Sequence, residues 1–139
     1  VSEESRRHAI ALELGHARAA RRAALALQTL GLHNDALSRL YYALFHTLAA
    51  LLLRHGVEAR RHRALPGLLA THAGDVVGPE AVALLGRAAT YRDLADYERT
   101  WLATPELADA AFQEIEPLID RVIGHLESTG WAAPAAEGS

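Results

Sequence analysis

The run "NDALSRLYYALFHTLAALLLRHG", residues 34–56, sets Ala36, Leu37, Leu40, Tyr41, Leu44, Leu48 and Leu51 at spacings of three and four. That is the period of an amphipathic α-helix, and no segment of the chain has the alternation of a half-buried strand. Asn34 is expected to cap this helix and Gly56 to end it. Three other segments repeat the pattern. Ser2 caps a helix whose first turn holds Glu3 and Glu4 and which runs to about Leu30, where Gly31 stops it. Pro79 opens a helix at its first position, reaching about Trp101. Thr104-Pro105-Glu106 starts another, reaching about Glu127.

Between residues 57 and 78 lie a basic loop, "VEARRHR", then "ALPGLLATH", a short helix with Pro66 in its first turn, and "AGDVVG", a turn. The other joints are short, so consecutive long helices are expected to be antiparallel neighbours. The fold class is all-α: an antiparallel four-helix bundle with one additional short helix. Residues 1–128 form this single domain, and the small, polar tail 129–139 is expected to be disordered. Composition agrees, since half of the 139 residues are apolar, enough for one core.

Charge and residue types remove several function classes. The net charge is −3, so nucleic-acid binding would need a local basic patch. Cysteine is absent, which excludes disulfides, thiolate nucleophiles and zinc knuckles. No uninterrupted apolar run reaches the roughly 18 residues of a membrane span, and no signal peptide is visible, so a cytoplasmic protein without membrane contact is expected. Glu13-x-x-His16 has a di-iron spacing but lacks a second copy, and no two of the eight histidines stand four apart. Neither metal nor cofactor is expected.

On a helical wheel, Leu37, Tyr41, Leu44 and Leu48 share one face of the 34–56 helix. Arg39, Tyr42, Ala43, His46 and Ala50 form a second stripe, with too little charge for a free surface. That seam is expected to line a groove or a dimer contact. In "TYRDLADYERTW", Arg92, Asp96 and Arg99 fall on one face. An antiparallel register would set Arg39 opposite Asp96 and His46 near Arg92. Arg39, Tyr42, His46, Arg92 and Asp96 would then surround one groove. The loop "RHGVEARRHR" concentrates Arg54, Arg60, Arg61 and Arg63 with His55 and His62, opposed only by Glu58, a pattern suited to phosphate or an acidic partner. Arg18, Arg21 and Arg22 read as a solvated helix face.

"SRLYYALFHTLAALLLRHG", then His62 six residues on, then "YRDLADY", resembles the HEPN family (higher eukaryote and prokaryote nucleotide-binding). The residues that carry the resemblance are Arg39, Tyr41, Tyr42, Ala43, Gly56, His62, Arg92, Ala95, Asp96 and Tyr97. The resemblance implies a helical bundle, often a homodimer, and in many members pairing with an MNT-type nucleotidyltransferase as a toxin–antitoxin system. Catalytic members are metal-independent ribonucleases with an arginine, a polar residue directly after it, and a histidine separated from the arginine by four to six residues. Here Arg92-Asp93 matches the start, but Tyr97 and Arg99 stand at the two ends of that window and no histidine lies in it. The leading expectation is therefore the HEPN half of such a pair, binding a nucleotidyltransferase and RNA or nucleotide. On that reading Arg92 and Asp96 order the site, and Arg39, Tyr42, Arg60, Arg61, His62 and Arg63 bind. The alternatives are an active ribonuclease toxin, with His46 or Tyr97 replacing the lost histidine, and a non-catalytic structural adaptor.

Overall fold

The computed structural model describes residues 2–134. Among them the elements are α1 (Glu3–Thr29), α2 (His33–Arg54), a single 3-10 turn (His62–Ala64), α3 (Leu65–His72), α4 (Gly74–Tyr97) and α5 (Pro105–Ser128). Four long helices and one short one make the expected all-α bundle, with no strand among the described residues.

Local chemistry sets most of the helix ends. Ser2 Oγ accepts the Ser5 amide at 3.0 Å, and Thr104 Oγ1 accepts the Leu107 amide at 3.1 Å. At the end of α2, Gly56 takes φ 76°. This lets its amide reach the Leu53 carbonyl and the Val57 amide reach the Leu52 carbonyl, both at 2.9 Å, closing the helix as a Schellman turn. A side chain at position 56 would strain that turn.

Three helix boundaries differ from the sequence expectation. Asn34 does not cap α2; Leu32 occupies that position without a side-chain hydrogen bond. Placed inside the first turn, the Asn34 amide is free to bridge instead. Its nitrogen donates to the Trp101 carbonyl at 2.9 Å, and its oxygen accepts the Ala103 amide at 2.8 Å, tying down the α4–α5 joint. The stretch "AGDVVG" is a short helical turn that leads into α4 across a break at Gly78, with φ 75° and ψ 168°. Pro79 opens the long part as expected. That part stops at Tyr97 and not near Trp101, because Glu98 turns extended. Trp101 then folds back to stack on Tyr91, with ring centroids 6.4 Å apart.

The core explains the double face of α2. Fourteen of its 22 residues are buried, because α1, α4 and α5 all pack against it. Ala43 and Ala50, assigned from sequence to a groove or dimer contact, are fully enclosed by the chain's own helices. These two alanines are therefore not dimer contacts; their small side chains let neighbouring helices approach. Leu40, Leu44, Leu48, Leu51 and Leu52 are likewise fully buried, and each burial stabilises the bundle by about 1.5–3 kcal/mol. By length and composition α2 could cross a membrane, although no uninterrupted apolar run suggested it. However, 78% of its most apolar window is buried in the bundle, which makes it the core helix.

The chain does not become formless at residue 129. The Trp131 amide donates to the Leu126 carbonyl at 2.8 Å, and the indole lies under the guanidinium of Arg7 at 4.6 Å and that of Arg6 at 5.6 Å. Arg7 also donates to the Gly130 carbonyl. The remainder of the expected disordered tail, residues 135–139, lies outside the described residues. Arg21 is no solvated residue either. It reaches Asp120 at 2.6 Å and Glu116 at 2.8 Å, joining α1 to α5, while Arg18 Nη2 is buried without a hydrogen-bond partner.

Candidate functional site

α2 and α4 run side by side, and the loop after α2 folds back over them. The cleft between these three segments is lined by Tyr41 from α2, Arg61, His62, Arg63 and Pro66 from the loop and α3, and Ala89, Arg92 and Asp93 from α4. Its volume, ≈ 710 Å³, falls in the range of small-molecule sites. Three arginines face one aspartate there, so the cleft favours an anion.

Arg92 is the centre of this arrangement. Its side chain is 17% exposed and its guanidinium carbon lies 5.1 Å from the Tyr41 ring, 5.8 Å from Tyr42 and 5.9 Å from Tyr97. Ring faces stabilise a cation but accept no ordinary hydrogen bond. Asp93 approaches at 3.3 Å, and Arg92 Nε is buried with no hydrogen-bond partner. Burial disfavours the charge, but the surrounding phenols Tyr42, Tyr41 and Tyr97, together with Asp93, outweigh it and raise the pKa further. The result is a permanent cation with unspent donor capacity.

His62 is the second notable group. Its ring stacks on Phe45 at 4.0 Å and 12°, and Tyr42 meets it edge-on at 5.9 Å. The Tyr41 hydroxyl lies 2.8 Å from His62 Nδ1. Burial, then Arg92 and His46, hold the His62 pKa below its ordinary value, so the imidazole is neutral near pH 7. Burial raises the Tyr41 pKa, with Arg92 opposing, so the phenol keeps its proton. With Tyr41 holding Nδ1, Nε2 is the ring nitrogen left for a ligand.

The remaining expected site residues divide. Arg39 is exposed and lies 4.6 Å over the Tyr42 ring, extending the aromatic wall. Asp96 does not face Arg39; it accepts from Ser38 Oγ at 3.2 Å, one residue away from the expected register. Tyr97 is 72% exposed at the cleft's edge. His46 does not approach Arg92. It turns to α1, where Glu13 Oε2 holds its Nδ1 at 2.7 Å and His16 lies 5.2 Å ring to ring. Phe45 separates it from His62. That same pair occupies the Glu13 of the di-iron-like spacing, and among the described residues no group of three His, Cys, Asp or Glu is placed to hold a metal. Arg60 points away with Glu58 at 3.5 Å, so only Arg61 and Arg63 of the loop trio line the cleft.

The expected site residues do not include Tyr41, Phe45 or Asp93, although Tyr41 and Asp93 belong to the family pattern read from the sequence. The sequence pattern puts Tyr41 in the core and assigns Phe45, one turn further along α2, to neither face; both are buried. Their aromatic character on one ridge was the available signal, but only a folded loop could bring His62 onto it.

A helical bundle with a caged arginine and an aromatic-held histidine defines a cationic cleft on an otherwise acidic protein. A family model described as HEPN domain matches residues 13–126. The chain belongs to the HEPN family. No curated protein matches it.

Proposed function

We propose that the Arg92 cleft binds the phosphate of RNA or of a nucleotide, and that the chain is the HEPN half of a pair with an MNT-type nucleotidyltransferase. The observation that carries the reading is Arg92: a charge kept in place by three phenol rings in the wall of the cleft, with one exposed carboxylate, Asp93, beside it. Guanidinium groups bind phosphate through paired, charge-assisted hydrogen bonds. Arg61 and Arg63 add positive charge at the mouth, and the exposed Tyr97 offers a ring for a base. The homodimer and the nucleotidyltransferase partner rest on the family alone, since Ala43 and Ala50 are not dimer contacts.

Titration of a fluorescent single-stranded RNA and of AMP into the purified protein tests the reading, with and without an added MNT-type nucleotidyltransferase. Binding that survives Arg92→Ala unchanged would sink it. Co-elution with the nucleotidyltransferase, and sedimentation as a dimer, test the two partner assignments separately.

A second reading, a metal-independent ribonuclease, draws support from one feature. The missing motif histidine has a spatial substitute in His62, held by Tyr41 beside Arg92. In the tautomer whose Nδ1–H donates to the Tyr41 hydroxyl oxygen, His62 Nε2 would accept the 2′-hydroxyl proton as the 2′-oxygen bonds to phosphorus, the 5′-oxygen would leave and take a proton from water, and Arg92 would stabilise the charged phosphate. EDTA-resistant cleavage abolished by both His62→Gln and Arg92→Ala, and spared by His46→Gln, is its signature. Absence of cleavage with intact binding returns the protein to the binding reading.

A further inference from the structure

A second groove runs between α1 and α2, and among the described residues it shares no lining residue with the Arg92 cleft. Its volume is ≈ 550 Å³, again in the range of small-molecule sites. Arg6, Ala9, Leu12 and Glu13 line it from α1, Ala49 and Leu53 from α2. Gly56, Glu58 and Ala59 close it on the loop side. Arg6 and Glu13 stand two helical turns apart, so they share one face of α1 with the apolar Ala9 and Leu12 between them.

Each of these two charges is held in place by contacts that do not neutralise it. Arg6 donates to the Arg54 carbonyl at 3.5 Å and lies 5.6 Å over the Trp131 ring. A carbonyl and a ring face orient a guanidinium and leave its charge whole. Glu13 is held through Oε2 by His46 Nδ1 at 2.7 Å, a partner that carries charge only when protonated. The other carboxylate of the groove, Glu58, is exposed and turned to Arg60 at 3.5 Å. Between the charged ends the surface is apolar: Ala49 is buried, Ala9 and Leu53 are half-buried, and Leu12 stands exposed at the rim. A neutral apolar molecule would use neither end. A simple anion or cation would use one and set its charge against the wrong sign at the other.

We propose that the α1/α2 groove binds a short apolar peptide with free termini, its carboxylate at Arg6 and its ammonium at Glu13. Two turns of helix set these residues about 10 Å apart. Three extended residues span about the same distance, whereas a single amino acid cannot reach both ends. The guanidinium receives the terminal carboxylate through paired, charge-assisted hydrogen bonds. The terminal ammonium meets the Glu13 carboxylate, of which His46 holds only Oε2. Apolar side chains of the peptide pack on Leu12, Ala49 and Leu53, and the exposed Ser5 and His16 at the rim are polar partners for its amides. The site stands whether or not the Arg92 cleft takes phosphate.

The test titrates leucyl-alanyl-leucine into the full chain and follows backbone amide shifts by NMR. Saturable shifts are expected at Ala9, Leu12, Leu53 and Ala59. The N-acetylated and the C-amidated forms of the same peptide should each bind about tenfold more weakly, because each lacks one charged end. Glu13→Gln keeps an acceptor for His46 and should make the free and N-acetylated peptides bind alike. Arg6→Gln should do the same for the free and C-amidated peptides. Arg92→Ala should leave peptide affinity unchanged, so the fate of this site is separate from that of the phosphate reading. Four results would overturn the proposal: no saturable shift in the groove, equal binding of the three peptides to the wild type, a preference for the free terminus that survives in the matching variant, or peptide affinity lost with Arg92. The comparison of three peptides on the wild type needs no variant, so a substitution that unfolds the chain leaves the test standing.

Discussion

Two arginines on the two sides of the bundle show how differently one residue type can be used. Arg21, between α1 and α5, has its charge answered twice, by Asp120 at 2.6 Å and Glu116 at 2.8 Å. These hydrogen bonds and charges outweigh burial and raise its pKa. Arg92, between α2 and α4, is similarly shielded but is faced by three aromatic rings and by a single, exposed carboxylate, Asp93 at 3.3 Å. A matched cation joins helices. A cation caged by rings and answered by one exposed carboxylate costs the fold some stability and retains attraction for an external anion. The α1/α5 seam is thus a structural joint, and the α2/α4 cleft is the place to look for a ligand.

The largest expected effect separates the two directly. Arg92→Ala should reduce RNA or nucleotide binding by tenfold or more, about 1.4 kcal/mol or above, while changing the melting temperature little. Loss of binding together with unfolding would erase the contrast. The mirror experiment is Arg21→Ala, which should leave binding intact and lower unfolding free energy by about 1–2 kcal/mol. That figure lies between an exposed and a buried pair, because Asp120 is largely in solvent. Urea unfolding measures it.

Removing one hydroxyl sharpens the description of the cleft. Tyr41→Phe keeps the ring that faces Arg92 but deletes the contact to His62 Nδ1. A cost of about 0.5–1.5 kcal/mol is expected, with a change in the His62 imidazole shifts that leaves Arg92-dependent binding in place. Unaltered His62 shifts would remove Tyr41 from its role as anchor. The smallest effects belong to the loop. Arg61→Ala and Arg63→Ala should each weaken binding about fivefold or less, and each should flatten the log–log salt slope by about 0.7 if it contacts a single-strand phosphate. Arg60→Ala should do neither, because Arg60 turns to Glu58 outside the cleft. Equal effects from all three would mean the loop acts as an undirected cloud of charge.

The sequence by itself determined what depends on near neighbours. Ser2 and Thr104 cap because a hydroxyl meets an amide three residues on, and Gly56 ends α2 because its backbone can take a left-handed turn. Apolar spacing announced four long helices, and the ordered Arg39, Tyr41-Tyr42-Ala43, His62 and Arg92-x-x-Ala95-Asp96-Tyr97 pattern pointed to the family that the HEPN domain match establishes. Tertiary structure alone decided which partner each face meets. Periodicity gave α2 two faces, yet only closure by three surrounding helices made Ala43 and Ala50 core residues. His46 and Tyr42 share a stripe, but the first meets Glu13 of α1 and the second lies beside Arg92 of α4. Asn34 looked like a cap and became a long-range tie to Trp101 and Ala103. The physical reason is range: capping and helix periodicity are settled within a few residues of chain, whereas a side chain's partner across a bundle depends on how every other helix has packed.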